Sequence, residues 1–185
     1  TCGEFCAVSE ERWLPIPGWD DLYEASSLGR IKRISGPTSG RVLAPLRHNG
    51  YHNVTLSRSG AKTTLKISRL IASAFLPNFH ERLEVDHIDG CPSNDMVSNL
   101  RMAGRHENSQ NVGRHRDNLT GYKGVFYDRR PGRKTGRFVA RISVRGKTTK
   151  IGYFRCARNA AIAYDRAAIE HFGPFAKTNA AMGYL

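Results

Sequence analysis

The stretch GRFVARISVRG, residues 136–146, alternates apolar and charged side chains with a period that fits a strand and not a helix. Phe138, Ala140, Ile142 and Val144 fall on one face, and Arg137, Arg141 and Arg145 on the other. With GYKGVFYD before it and KTTKIGYF closing it, three strands are expected, the second turn at Gly146. ARNAAIAYDRAAIEHFGP then reads as one amphipathic, alanine-rich helix ended by Gly173 and Pro174. Small side chains let such a helix approach a sheet closely, so it covers the apolar face and leaves the arginine face open.

Charge narrows the partner. The chain carries 29 Lys+Arg against 16 Asp+Glu, a net +13. Between Arg114 and Arg158 there are fourteen basic residues and only two acidic ones, Asp117 and Asp128, so almost all of the excess lies there. Nucleic acid, an anionic membrane surface and a solvated face are the three readings of such a block. A solvated face carries interspersed acids, and the aromatics and alternation indicate a folded segment, so nucleic acid is favoured. A small sheet enters the major groove, about 12 Å wide, and reads base edges with arginine. The candidate contacts are Lys123, Arg129, Arg130, Arg133 and Lys134, followed by Arg137, Arg141, Arg145, Lys147 and Lys150.

Upstream, RWLPIPGWDDLYEASSLGRIKRI interrupts Trp13, Ile16, Trp19, Leu22 and Tyr23 with Pro15, Pro17 and Gly18, which suits a compact apolar loop with the tryptophans in the core. GRIKRI and RVLAPLRHNGYHNVTLS read as short strands, with a hairpin at Asn49-Gly50, and KTTLKI as another. SRLIASAFLPN sets residues 70, 71, 74 and 75 on one helical face, closed by Pro77. Short helical turns are expected after residue 93 and near His106–Asn111, and RHRDNLTG marks a linker. Cys2 and Cys6 are half a zinc site or free thiols; with no second pair in view, free thiols in a reducing, cytoplasmic compartment are the expectation. No apolar run approaches the roughly 20 residues that span a bilayer, so no membrane partner is expected.

The chemistry concentrates in LEVDHIDGC, residues 83–91. Asp86 precedes His87, Asn99 lies twelve residues on, and Asn108 nine beyond that. Asp and Asn offer hard oxygen ligands suited to Mg²⁺ or Mn²⁺, ions that keep several waters and bind through few protein groups. An imidazole, ordinarily titrating near pH 6.5, takes a proton from water at physiological pH. Asp-His alone is better read as a hydrophilic hairpin whose acid and amide satisfy their own backbone, and only a longer pattern changes that balance. Asp89 has the place of a turn residue bracing Gly90. His106, two residues from Asn108, lies about 200° around a helix from it, so the two are not interchangeable.

RLIASAFLPN…LEVDHIDGCPSNDMVSNLRMAGRHENSQN resembles the HNH endonuclease family in its phage-type homing branch, H-N-N subgroup. The resemblance implies a two-stranded ribbon and a helix gripping one divalent ion, the ββα-metal arrangement. Residue by residue it makes Asp86 the first metal ligand and His87 the general base. It makes Asn99 the residue that ties the loop and orients the base, and Asn108 the second ligand. Cys91-Pro92 and Asp95 depart from the family, which commonly has Asn-Lys and a second Asn there. WLPIPGWDDLYEASSLGRIKRI resembles a NUMOD4-like module that precedes such domains, where Arg30, Lys32 and Arg33 contact phosphate or line a solvated strand edge. GYKGVFYD, GRFVARI, KIGYF and AAIAYDRAAIEHFGPFAKTN resemble the AP2 DNA-binding domain, with a departure near Lys150 and Ile151, where that family often has Trp.

The expected class is therefore α+β: a β-rich NUMOD4-like module at 11–48, a ββα-metal HNH domain at 49–112, a linker at 113–120 and an AP2-like three-stranded antiparallel sheet plus one helix at 121–180. The implied activity is site-specific, metal-dependent hydrolysis of double-stranded DNA by a monomer with one Mg²⁺ or Mn²⁺, nicking one strand per event. A sequence-specific DNA-binding regulator with a relic HNH domain is the alternative, and RNA binding a third.

Overall fold

The computed structural model describes residues 10–128 and 137–185. The chain divides into two compact units, Thr1–Met102 and Ala103–Leu185, a division that falls within the 49–112 segment. Cys2, Cys6, Arg129, Arg130, Arg133 and Lys134 lie outside the described residues.

In the first unit, strands β1 (Trp13–Pro15), β2 (Tyr23–Ser26) and β3 (Ile31–Arg33) form an antiparallel sheet in that order. The prolines and Gly18 confine the break between β1 and β2 to a tight apolar loop whose Ile16 is fully buried. A second antiparallel meander follows: β4 (Leu46–His48), β5 (Tyr51–Arg58) and β6 (Ala61–Lys66). Asn49 and Gly50 join its first two strands with φ of 50° and 83°, the doubly left-handed turn that matches strand twist. Helix α1 (Ile67–Phe75) buries Ile67, Leu70 and Ile71. It ends at extended Leu76, the conformation Pro77 imposes on the residue before it. Strands β7 (Glu84–His87) and β8 (Leu100–Ala103) pair with each other, and a 3-10 turn at Val97–Asn99 leads into β8.

One apolar cluster holds these parts together. Ile16, Tyr23, Ala25 and Ile31 pack with Val54, Leu56, Ile67, Leu70, Ile71 and Leu100. Trp19 packs against that core, as expected of it. Trp13 does not: it lies outside the cluster, with Lys32 Nζ 4.2 Å and the Arg30 guanidinium 5.7 Å from its ring centroid. A three-residue strand with exposed neighbours cannot bury an indole, and two cations cover its face instead.

The second unit opens with the single-turn helix α2 (Arg105–Asn108) and a 3-10 turn at Ser109–Asn111. Strands β9 (Val125–Tyr127), β10 (Phe138–Val144) and β11 (Lys147–Phe154) form an antiparallel sheet with β10 central. Helix α3 (Ala157–Phe172) covers one face, burying Ala160, Ala161, Tyr164 and Ala168 against Val125, Ala140 and Ile142. Phe138 and Val144 pack at the margin, so all four apolar residues of the alternation serve this core. A bulge between Ala140 and Arg141 interrupts the register. Arg145 is not on the arginine face: with φ 50° it forms, with Gly146, the turn between β10 and β11. Asn179, fully buried, closes the unit by accepting the Lys123 N–H at 2.7 Å and donating its own backbone N–H to Asp165 Oδ1 at 2.7 Å. No helix among the described residues is long and apolar enough to cross a membrane.

Candidate active site and nucleic-acid interface

Asp86 and His87 occupy the last two positions of β7 and are both buried, at 4% and 6% exposure. Successive strand residues point to opposite faces, so the two meet different partners. Asp86 Oδ2 accepts from Arg101 of β8 twice, from Nε at 2.7 Å and from Nη2 at 2.6 Å. His87 Nε2 lies 3.1 Å from Asp95 Oδ1, and the other oxygen of Asp95 lies 3.2 Å from Nδ1 of His52 on β5. The Tyr51 ring stands 6.1 Å from that of His87, centroid to centroid.

The loop after β7 is tied at its neck. Asn99 Oδ1 accepts the Asp89 N–H at 3.0 Å, while Asn99 Nδ2 donates to Asp89 Oδ1 at 3.0 Å and to the Asn94 carbonyl at 2.8 Å. The Ile88 N–H donates to the Asn99 carbonyl at 2.9 Å, so Asn99 pins the residue next to His87. Burial by itself would raise the Asp89 carboxyl; bonds from Asn94, the Cys91 N–H and Asn99 outweigh it and hold it below the usual carboxylate range. Asp89 thus braces the turn at Gly90, whose φ is 74° and whose N–H returns to the His87 carbonyl at 2.8 Å.

Asn108 stands in the second unit as the last residue of α2, half-buried, its N–H donating to the Gly104 carbonyl at 2.9 Å. His106 on the same turn is exposed. Among the described residues no group of three or more His, Cys, Asp or Glu is arranged to hold a metal ion. A hard-oxygen ligand such as the Asp86 carboxylate suits an ion that leaves most of its coordination sphere to water and phosphate. A metal at Asp86 must share that carboxylate with the Arg101 guanidinium or displace it.

The three candidate phosphate contacts of the first unit, Arg30, Lys32 and Arg33, are engaged locally. Arg30 pairs with Glu11, which holds the Glu11 carboxyl below its ordinary range. Lys32 Nζ is 2.8 Å from Glu24, and Arg33 Nε donates to the Ser35 carbonyl at 2.9 Å. In the second unit Lys123 turns inward, its Nζ donating to the carbonyls of Gln110 and Lys177 at 3.0 and 3.2 Å. Burial, and then the nearby Lys177, lower its pKa to about 8.

On the sheet face away from α3, Phe126, Val139 and Tyr153 stand in register across the three strands. Val139 is 1% exposed, whereas Phe126 is 46% exposed. Arg141 lies over the Phe126 ring at 5.6 Å and Lys150 over the Tyr153 ring at 4.7 Å, and the two cations oppose each other in register. Arg137 and Lys147 are exposed near the ends of the same strands. This aromatic row was not expected from the sequence, although the alternation carried it at Phe126 and Tyr153. Nor were three residues of the acid–imidazole cluster. Asp95 had a signal as a departure from the family pattern; His52 and Arg101 had none, because only folding brings them to their partners.

Residues 11–57 match the NUMOD4 motif family, and over a little more than half its length the chain is similar to HNH endonucleases. It is 33% identical over 100 residues to DNA endonuclease I-HmuI of Bacillus phage SP01, which covers 54% of this chain and 56% of that protein. It is 31% identical over 101 residues to the uncharacterized HNH endonuclease L245 of Acanthamoeba polyphaga mimivirus, covering 55% and 29%. Over 45 residues it is 44% identical to Protein 3.8 of Escherichia phage T7, covering 24% and 37%. The solved structure of I-HmuI, described as DNA binding and cleavage by the HNH homing endonuclease, superposes with a TM-score of 0.50 at 33% identity, again over 54% and 56% of the two chains. The chain spans about half the length, or less, of the curated relatives it matches.

Proposed function

We propose that the protein is a site-specific, divalent-metal-dependent DNA endonuclease of homing type. One observation carries the reading: a buried Asp86–His87 pair ends β7 under a loop locked by Asn99, in a chain one third identical over 100 residues to a DNA endonuclease. His87 serves as the general base, taking a proton from the water that attacks phosphorus. Asn99 acts through Asp89 and the Ile88 backbone, holding the strand end so that the ring does not swing away. Asp86 supplies a hard oxygen to one Mg²⁺ or Mn²⁺; the motif spacing, and not the fold, nominates Asn108 as the second ligand. Such an ion, when bound, stabilises charge on the departing oxygen. The AP2-like unit holds the duplex with Arg141, Lys150, the exposed Phe126 and the half-buried Tyr153, and Arg137 and Lys147 also contact phosphate. One centre in a monomer cuts one strand per event.

The test is plasmid relaxation on a randomised-target library, with Mg²⁺ or Mn²⁺ and with EDTA. Relaxation in metal alone supports the reading. His87→Ala should lose about 100-fold or more in rate while binding stays within a few-fold. A protein that shifts DNA mobility in both conditions and never relaxes supercoils is a binder, which is the regulator reading. Competition by RNA in preference to duplex DNA would remove both.

A further inference from the structure

We propose that Asp95 is a positioning residue for the base: one buried carboxylate holds the His87 ring through Oδ1, is braced by His52 through Oδ2, and is fixed in place by the N-terminal module. The inference rests on reading His87 as the base, and it adds a residue that the family pattern does not assign.

Both partners are largely shielded from solvent: the side chain of Asp95 is 3% exposed and that of His87 6%. His52, at 18%, completes the set from β5. An ionised carboxylate only accepts, so each ring must present an N–H to it: Nε2–H from His87 and Nδ1–H from His52. A neutral His87 then has one tautomer, with its lone pair on Nδ1. The commoner Asn would offer a single acceptor oxygen and an NH₂ donor, enough for one ring in this tautomer but not for both. That difference gives the departure at position 95 a physical meaning. The three side chains do not form a second ion site, since no such group among the described residues is arranged to hold a metal.

What keeps Asp95 in register comes from the other end of the unit. Gly29, with φ of +82°, lies so close that a Cβ there would stand 2.9 Å from the Asp95 carbonyl carbon and 3.0 Å from its oxygen. Beside it the Val97 N–H donates to the Ser27 carbonyl at 3.0 Å. The turn between β2 and β3, part of the NUMOD4-matching region, is thus a wall for the loop that aims the base.

Two readouts on the full chain test this. Long-range ¹H–¹⁵N spectra of the imidazoles, at a pH where they are neutral, should show His87 as the Nε2–H tautomer in the wild type and a mixture in Asp95→Ala. Single-turnover cleavage of a duplex selected by the wild type should slow about 10- to 100-fold in Asp95→Ala. Its DNA Kd should stay within about 3-fold, and Asp95→Asn should recover part of the rate. Should Asp95→Ala fail to fold, Asp95→Asn carries both measurements, with a smaller tautomer shift expected. An unchanged His87 tautomer in the variants overturns the proposal, as does a rate that falls only in step with Kd or with the folded fraction. A wild type that cleaves no DNA while its His87 tautomer still depends on Asp95 refutes the nuclease reading and leaves the contact standing.

Discussion

Arg101 of β8 closes on Asp86 of β7 with two donors, Nε at 2.7 Å and Nη2 at 2.6 Å, both directed at the single oxygen Oδ2. The carboxylate proposed to meet a cation is therefore already neutralised by one, within a site where its own side chain is 5% exposed. Any ion that binds there competes with an internal guanidinium.

Removing that guanidinium should leave Asp86 buried without its compensating charge. Arg101→Leu is expected to lose about 3 kcal/mol of stability, since breaking a buried pair from one side strands the other charge. Millimolar Mn²⁺ should then raise the melting temperature of the variant more than that of the wild type. Thermal melts with and without the ion check both; equal shifts in the two proteins would argue against metal at Asp86.

Asn99→Ala removes three hydrogen bonds at the neck of the loop, two to Asp89 and one to the Asn94 carbonyl. A loss of about 2–3 kcal/mol is expected in denaturant unfolding. Asp89 sits below its ordinary carboxylate range, so the folded state binds its proton less readily than the unfolded chain. Its stabilisation is present above about pH 4 and is lost as pH falls through the folded value, and Asn99→Ala should shrink that acid-side loss.

Lys123 gives the opposite end of the pH scale. Its folded pKa of about 8 lies under the ordinary 10.5, so folding disfavours its proton. Below pH 8 the protonated lysine carries its full cost in the fold. Between about 8 and 10.5 the unfolded chain holds the proton and the folded one does not, so stability should rise with pH there. Lys123→Met should flatten the rise, as measured by urea midpoints across that window. The Tyr164 hydroxyl, raised to about 12 by burial and then by Asp165, opposes it only above pH 10, where the unfolded tyrosine ionises.

Gly124→Ala should cost more than a surface substitution does. With φ of +73° and a ring carbon of Tyr164 2.0 Å from where a Cβ would stand, the variant must move a side chain of the core. A destabilisation of roughly 3 kcal/mol or more is expected, from overpacking and left-handed backbone together. Near-ultraviolet dichroism and denaturant unfolding check it.

Arg141→Ala and Lys150→Ala should weaken duplex binding and make it less steeply salt-dependent, by about 0.9 in log–log slope for each phosphate that is no longer neutralised. Phe126→Ala, in contrast, should weaken binding with little change of slope, because its contribution is apolar packing and stacking. Titrations at several salt concentrations distinguish these outcomes.

The elements were largely legible because their signals are local. Asn49-Gly50 dictates a two-residue turn, Pro77 ends α1, and alternation in 138–144 with the alanines of α3 sets a sheet face and its cover. Arg145 escaped because alternation continues on paper up to the turn expected at Gly146, and only the structure shows that this turn takes in Arg145 as well. Trp13 escaped because a hydrophobicity pattern does not distinguish an indole packed in a core from one packed beneath two cations.

By itself the sequence determined which chemistry is available, an acid beside an imidazole at the end of a strand with an amide twelve residues on, and an open basic sheet. Tertiary structure alone decided what surrounds that pair: Arg101 on Asp86, and His52 with Asp95 around His87. The physical reason is reach. Turn and periodicity preferences act over a few residues and are written where they act, whereas a buried charge or ring takes its partner from whatever segment packing brings to it, here 35 residues upstream in the case of His52.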